Sequence, residues 1–109
     1  LADFSYHCMA WHIPHTTGRG VGGLDAVALG IPSESHYMRR YAERTGRDVH
    51  AMEADWNFYL AYNLFRIAAI LQGIAKRALD GTAASAQAAQ AAQGARPLGE
   101  LGWRYAQSA

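Results

Sequence analysis

The stretch MEADWNFYLAYNLFRIAAILQGIAKRAL, Met52 to Leu79, decides the fold. At 1.5 Å per residue it predicts a helix roughly 40 Å long. A turn of 100° per residue places Trp56, Leu60, Ile67, Leu71, Ile74 and Ala78 on one stripe. Phe58, Phe65, Ala69 and Gln72 fall on the opposite side, so the helix is apolar nearly all round and is expected to be largely buried. Trp56 to Ala75 is also long enough to cross a bilayer, but Asn57, Asn63, Arg66 and Gln72 interrupt it. A central arginine costs at least ~2.5 kcal/mol there, which makes a core helix the better reading and no membrane partner is expected.

The flanks read as further helices. Phe4, Cys8 and Trp11 are spaced four and three apart, giving helical periodicity from Ala2 to His12, and Pro14 stops it. Asp3 lies near that start, where a carboxylate can accept orphan backbone N–H groups. Leu24 to Leu29 forms one or two turns, closed by Gly30 and Pro32. Ser33 is an N-cap for a helix from Glu34 to Thr45, with Tyr37, Met38 and Tyr41 on its apolar edge and Gly46 at C′. Asp80-Gly81 ends the long helix. Alanine-rich Ala83 to Gln93 predicts another. After Gly94, Pro97 suits a first helical position, and Leu98, Leu101 and Tyr105 form a last stripe. Asp55 reads as a cap at the long helix's entrance. No stretch alternates like a strand. The expected architecture is all-α, about five helices around one long buried helix.

The 109 residues suffice for one domain. Ten Lys+Arg against nine Asp+Glu give a net charge of +1, which argues against nucleic-acid or anionic-membrane partners. Half the residues are hydrophobic, a composition that can offset chain entropy. The lone Cys8 cannot form an internal disulfide, and no leader pattern opens the sequence, so a cytoplasmic location is expected. The chain starts at Leu1, in mid-pattern, and reads as a piece of something longer.

The chemical signals are few. Gly18, Gly20 and Gly23 match G-x-G-x-x-G, but a helix and Pro14 precede them and no βαβ unit follows, so a flexible connection is the better reading. His7 and His12 diverge by about 140° on a helix instead of converging on a metal with Cys8 and His15. Cys8 reads as packed, since no neighbouring cation lowers its pKa. On the long helix, Asn63 sits within the apolar stripe, where an amide needs a partner. Tyr59, Tyr62 and Arg66 share the adjoining flank. That group either binds an anionic or hydroxylated ligand or ties helices together, and spacing alone favours the structural role. No P-loop, H-E-x-x-H or paired zinc cysteines occur, so no catalytic or metal residue is assigned.

Several strings together resemble a known family. LADFSYH (Leu1 to His7), GGLD (Gly22 to Asp25), GIPS (Gly30 to Ser33), DWNFYLAYNLFR (Asp55 to Arg66) and LQGIAKR (Leu71 to Arg77) are similar to the C-terminal part of the aminoglycoside phosphotransferase-like, or choline-kinase-like, family. The branch resembled is the phosphotransferase domain fused elsewhere to acyl-CoA dehydrogenase domains. The resemblance implies that residues 1–109 are a helical C-terminal subdomain, the distal C-lobe of a protein-kinase-like fold, whose catalytic loop and magnesium-binding Asp precede it. It implies ATP and Mg as cofactors of the full-length protein, none in this segment, and phosphoryl transfer to a hydroxyl of a small-molecule acceptor. Asp3 would anchor the catalytic-loop backbone, and Trp56, Tyr59, Asn63 and Arg66 would face or support the acceptor pocket. The implied partner is the missing N-terminal lobe and catalytic segment, and without it an exposed apolar face and self-association are expected. The alternative is a free-standing helical ligand- or protein-binding module.

Overall fold

A computed structural model describes residues 1–109. The order is α1 (Ala2–Cys8), α2 (Glu34–Thr45), α3 (Val49–Ala54), α4 (Trp56–Leu79), α5 (Ala88–Ala92) and α6 (Ala95–Gln107), with single 3₁₀ turns at Met9–Trp11 and His15–Thr17. There are no strands, only one isolated bridge between Pro14 and Gly22. The all-α expectation holds, with a long central helix against which the others pack.

Local chemistry explains three of the helix ends. Ser33 Oγ accepts from His36 N–H at 3.1 Å and starts α2, and Gly46, at φ +73°, ends it in the left-handed conformation that a side chain would resist. Asp48 caps α3 by accepting from His50 N–H at 3.0 Å. Three expectations are corrected. The dominant helix does not begin at Met52: α3 stops and the chain turns at Asp55 (φ −100°, ψ 4°), whose side chain caps nothing. The alanine-rich run is helical only over Ala88–Ala92, because alanine propensity alone cannot nucleate so short a helix without packing. Pro97 is the third residue of α6, not the first; it is still within the turn whose N–H groups have no helical acceptor.

The core runs along one side of α4. Leu60, Leu64 and Leu71 are buried together with Cys8, Met52 and Leu98. An aromatic cluster fastens α1 to α2: Phe4 stacks on Tyr41 at 3.8 Å between centroids, and Trp11 lies 5.1 Å from Tyr37. Trp11 Nε1 also donates to the Pro32 carbonyl at 3.0 Å, holding the intervening loop down.

The opposite side of α4 is open, contrary to the expected all-round burial. Phe65 is 73% exposed and Phe58 60%, and Ala69 and Gln72 are exposed as well. The helices present cover only one stripe, so an apolar residue beyond that stripe meets solvent. By length and hydropathy α4 is the one helix that would pass for a membrane span.

Candidate functional site

Polar side chains meet at two places. At the first, Asn63, fully buried on the core face of α4, reaches the start of α1. Its Nδ2 donates to the Ala2 carbonyl at 3.1 Å and to Ser5 Oγ at 2.7 Å, and Ser5 Oγ donates onward to the Leu1 carbonyl at 2.8 Å. Asn63 Oδ1 and Trp56 Nε1 are buried without a hydrogen-bond partner. Asn63 is thus a clamp between helices, the structural role of the two that spacing left open.

The second is a relay joining three distant pieces of chain. His12 Nε2 lies 2.6 Å from Glu34 Oε2, and His12 Nδ1 lies 2.5 Å from the hydroxyl of Tyr105. Glu34 is the first residue of α2, Tyr105 sits on α6, and His12 follows the first 3₁₀ turn. Burial first, then the Glu34 carboxylate, push the Tyr105 phenol above its ordinary range, with Arg104 opposing. The Glu34 carboxylate can only accept, so His12 Nε2 carries the proton between them, and the charge of the imidazole sets which of Nδ1 and the phenol donates. His12 and Glu34 side chains are about one-fifth exposed, so the charge-assisted hydrogen bond between them is screened less than an exposed one. Nothing local in the sequence marks His12, because its partners lie 22 and 93 residues away. Removing the phenolic hydroxyl in Tyr105→Phe should cost about 1 kcal/mol in a urea melt. Unchanged stability in both Tyr105→Phe and Glu34→Gln would show that the relay contributes nothing.

Two further histidines each meet one polar group. His7 Nε2 meets the Tyr37 hydroxyl at 3.2 Å, and His15 Nδ1 meets the Gly22 carbonyl at 3.0 Å. No three His, Cys, Asp or Glu side chains gather in metal-holding geometry. Cys8 is fully buried, and burial, with the Glu34 carboxylate adding to it, pushes its thiol up to about 12. It is a packed thiol, not a nucleophile.

The glycine loop is not a flexible connection. Val21 N–H donates to Ala10 O at 2.8 Å, Gly22 N–H to Ile13 O at 2.9 Å, and His15 N–H to Gly22 O at 2.9 Å. A Cβ on Gly20 would lie 2.3 Å from Ile13 O, so the glycine is there for backbone contact. These amides are spent on carbonyls and are not free for phosphate oxygens.

The four acceptor-pocket residues expected from the sequence do not gather. Trp56 and Asn63 are buried in the core, Tyr59 is half-buried, and Arg66 is exposed with its guanidinium 5.2 Å from the Tyr6 ring centroid. Arg66 lines a cleft of about 330 Å³ with Phe58, Tyr62 and Phe65. Asp3 lies inside α1, exposed, and its carboxylate makes no hydrogen bond or ion pair, so it does not cap the helix as expected.

No family model and no solved structure match the chain. Curated relatives do. The chain is 40% identical over 108 residues to a mouse protein named acyl-CoA dehydrogenase family member 10, covering 97% of this chain and 10% of the relative. It is 29% identical over 102 residues to human acyl-CoA dehydrogenase family member 11, covering 94% and 13%. Mouse member 11 is 32% identical over 91 residues, covering 84% and 10%. The chain thus spans about a tenth of the length of the curated relatives it matches. The assignment to an aminoglycoside phosphotransferase-like family is corrected accordingly. The relatives carry acyl-CoA dehydrogenase family names, and no phosphotransferase family model matches. The physical reason lies in the residues that carried it. Trp56, Leu60, Asn63 and Leu64 of the most specific string are core and clamp positions, which record packing and not phosphate chemistry.

Proposed function

We propose that this chain is a helical, non-catalytic part of a long polypeptide, walling the acceptor side of an ATP- and magnesium-dependent phosphoryl transfer to a small-molecule hydroxyl. The phosphate-handling residues belong to other parts of that polypeptide. Asp3 carries the reading. It stands exposed in the first turn of α1 without any partner in these 109 residues, while the Asn63 clamp holds that end of α1 rigid. A fixed, unpaired carboxylate is suited to accept backbone N–H groups from an adjoining catalytic loop. The other well-placed polar groups, His12, Glu34 and Tyr105, are spent on one another. Phosphoryl transfer requires phosphate grip, metal charge and an aligned nucleophile, and this segment supplies scaffold and shape.

The test is ADP release in the presence of ATP, magnesium and a panel of hydroxylated small molecules. The 109-residue chain should stay at the level without protein. The longer polypeptide should turn over, and Asp3→Asn in it should lower kcat about tenfold by removing a charge-assisted contact. Turnover by the short chain alone, or none by the long one, overturns the proposal. A free-standing binding module is the second reading, favoured by the open cleft between α4 and α6; capture of a small molecule by the 109 residues, with no turnover by the longer polypeptide, would decide for it.

A further inference from the structure

The open face is built in a specific way. Phe58, Tyr62 and Phe65 follow one another at spacings of four and three along α4, and Trp103 of α6 lines the same cleft as Phe65. They are 60%, 52%, 73% and 66% exposed. Together they show solvent on the order of 500 Å² of aromatic surface, the size of the largest apolar patch on a typical monomer, which is often functional. Between the two helices lies a cleft of about 980 Å³, to which Ala61, Ala68, Ala69, Gly99 and Gly102 contribute. Small residues there let a further helix approach to packing distance, with large aromatics on either side to grip it.

Charge at the rim narrows the occupant. Arg66, Arg96 and Arg104 surround the cleft and its continuation. Only Arg96 has a carboxylate partner, Glu100 at 3.0 Å. Two copies meeting face to face would bring the unpaired arginines toward one another, which disfavours a dimer through this face. The matched relatives place about nine-tenths of their length outside the segment they share with this chain, so a covering element is available within one polypeptide.

We propose that the α4–α6 face seats an amphipathic helix with carboxylates flanking its apolar side, supplied by the polypeptide outside these 109 residues. The apolar side of that helix covers Phe65 and Trp103, and its carboxylates meet Arg66 and Arg104. This rests on the chain being part of a longer polypeptide and is independent of phosphoryl transfer, since its test reads binding and not turnover. The probe is a synthetic amphipathic peptide of about five turns, with a Leu/Ala face and Glu flanks, and a twin carrying Lys in place of Glu. Anisotropy of the labelled peptides should show the Glu form binding about tenfold more tightly than its twin, with the difference shrinking as salt rises. Phe65→Ser, at an exposed position, should leave the circular dichroism melt unchanged and weaken the Glu peptide about tenfold. Equal affinity for the two peptides, or binding of neither, overturns the proposal. Sedimentation showing a dimer that Phe65→Ser dissociates also overturns it, in favour of a second copy.

Discussion

Asn63→Asp should lose about 3–5 kcal/mol at pH 7, the cost of an uncompensated charge in a protein interior. The two side chains have the same shape, so packing is preserved and the effect is electronic. In the native chain Nδ2 donates to the Ala2 carbonyl and to Ser5 Oγ. A carboxylate oxygen at that place faces the carbonyl lone pairs with nothing to donate. Ser5 already gives its proton to the Leu1 carbonyl at 2.8 Å, and Asn63 Oδ1 has no donor beside it. The protein's escape is to keep the new carboxyl protonated, which raises its folded-state pKa above the unfolded value of ~3.9. Below that value both states are neutral and the charge penalty vanishes. As pH rises above it the unfolded chain ionises first and folding weakens. Urea melts at pH 4 and pH 7 should therefore show the deficit growing with pH, whereas Asn63→Leu should cost about 2 kcal/mol at both. A domain of this size has about 5–15 kcal/mol to lose, so at neutral pH the Asp variant should be partly unfolded at modest denaturant. A small deficit independent of pH would mean that Asn63 is not enclosed as described.

This clamp also marks how far sequence alone reaches. An asparagine within an apolar helical stripe announces a buried amide, and the periodicity of Trp56, Leu60 and Ile67 names the face. The receiving atoms, the Ala2 carbonyl and Ser5 Oγ of α1, lie some 60 residues earlier, and periodicity cannot pair them with Asn63. Helix ends such as Ser33 and Gly46 are legible because cap chemistry is local. The corner at Asp55 is not, because no glycine or proline marks it and the spacing from Met52 to Trp56 runs on through it. The Glu34–His12–Tyr105 relay is invisible because each partner lies on a different element. Periodicity also cannot tell which element covers an apolar residue. Phe58 and Phe65 follow the pattern of a buried helix, and within these 109 residues nothing lies over them. The four candidate acceptor-pocket residues part in direction: Trp56 and Asn63 turn inward, while Arg66 turns out to Tyr6.

Gly102→Leu should cost about 3 kcal/mol, and it tests how α6 sits on α4. Gly102 is buried, and a Cβ there would come within 3.1 Å of Leu64 Cβ, 3.4 Å of the Phe65 amide nitrogen and 3.5 Å of the Ala61 carbonyl. One carbon nearly fits; four do not. A leucine forces the helices apart or drives Leu64 off its rotamer, at the upper end of overpacking costs. The gain of up to about 1 kcal/mol from replacing glycine inside a helix offsets only part of that. Gly102→Ala should therefore be close to neutral, its propensity gain set against a shift of a few tenths of an ångström. One turn earlier, Gly99 would bring a Cβ to an ordinary 3.8 Å from Ala68 Cβ, so Gly99→Ala should stabilise by about 1 kcal/mol. The displacement of α6 has a second consequence, because that helix carries Tyr105. Moving it pulls the phenol from His12 Nδ1, so the imidazole resonances of His12 should shift in Gly102→Leu and stay in place in Gly99→Ala. A Leu variant as stable as the parent, with His12 undisturbed, would require a wider α4–α6 separation than the one described.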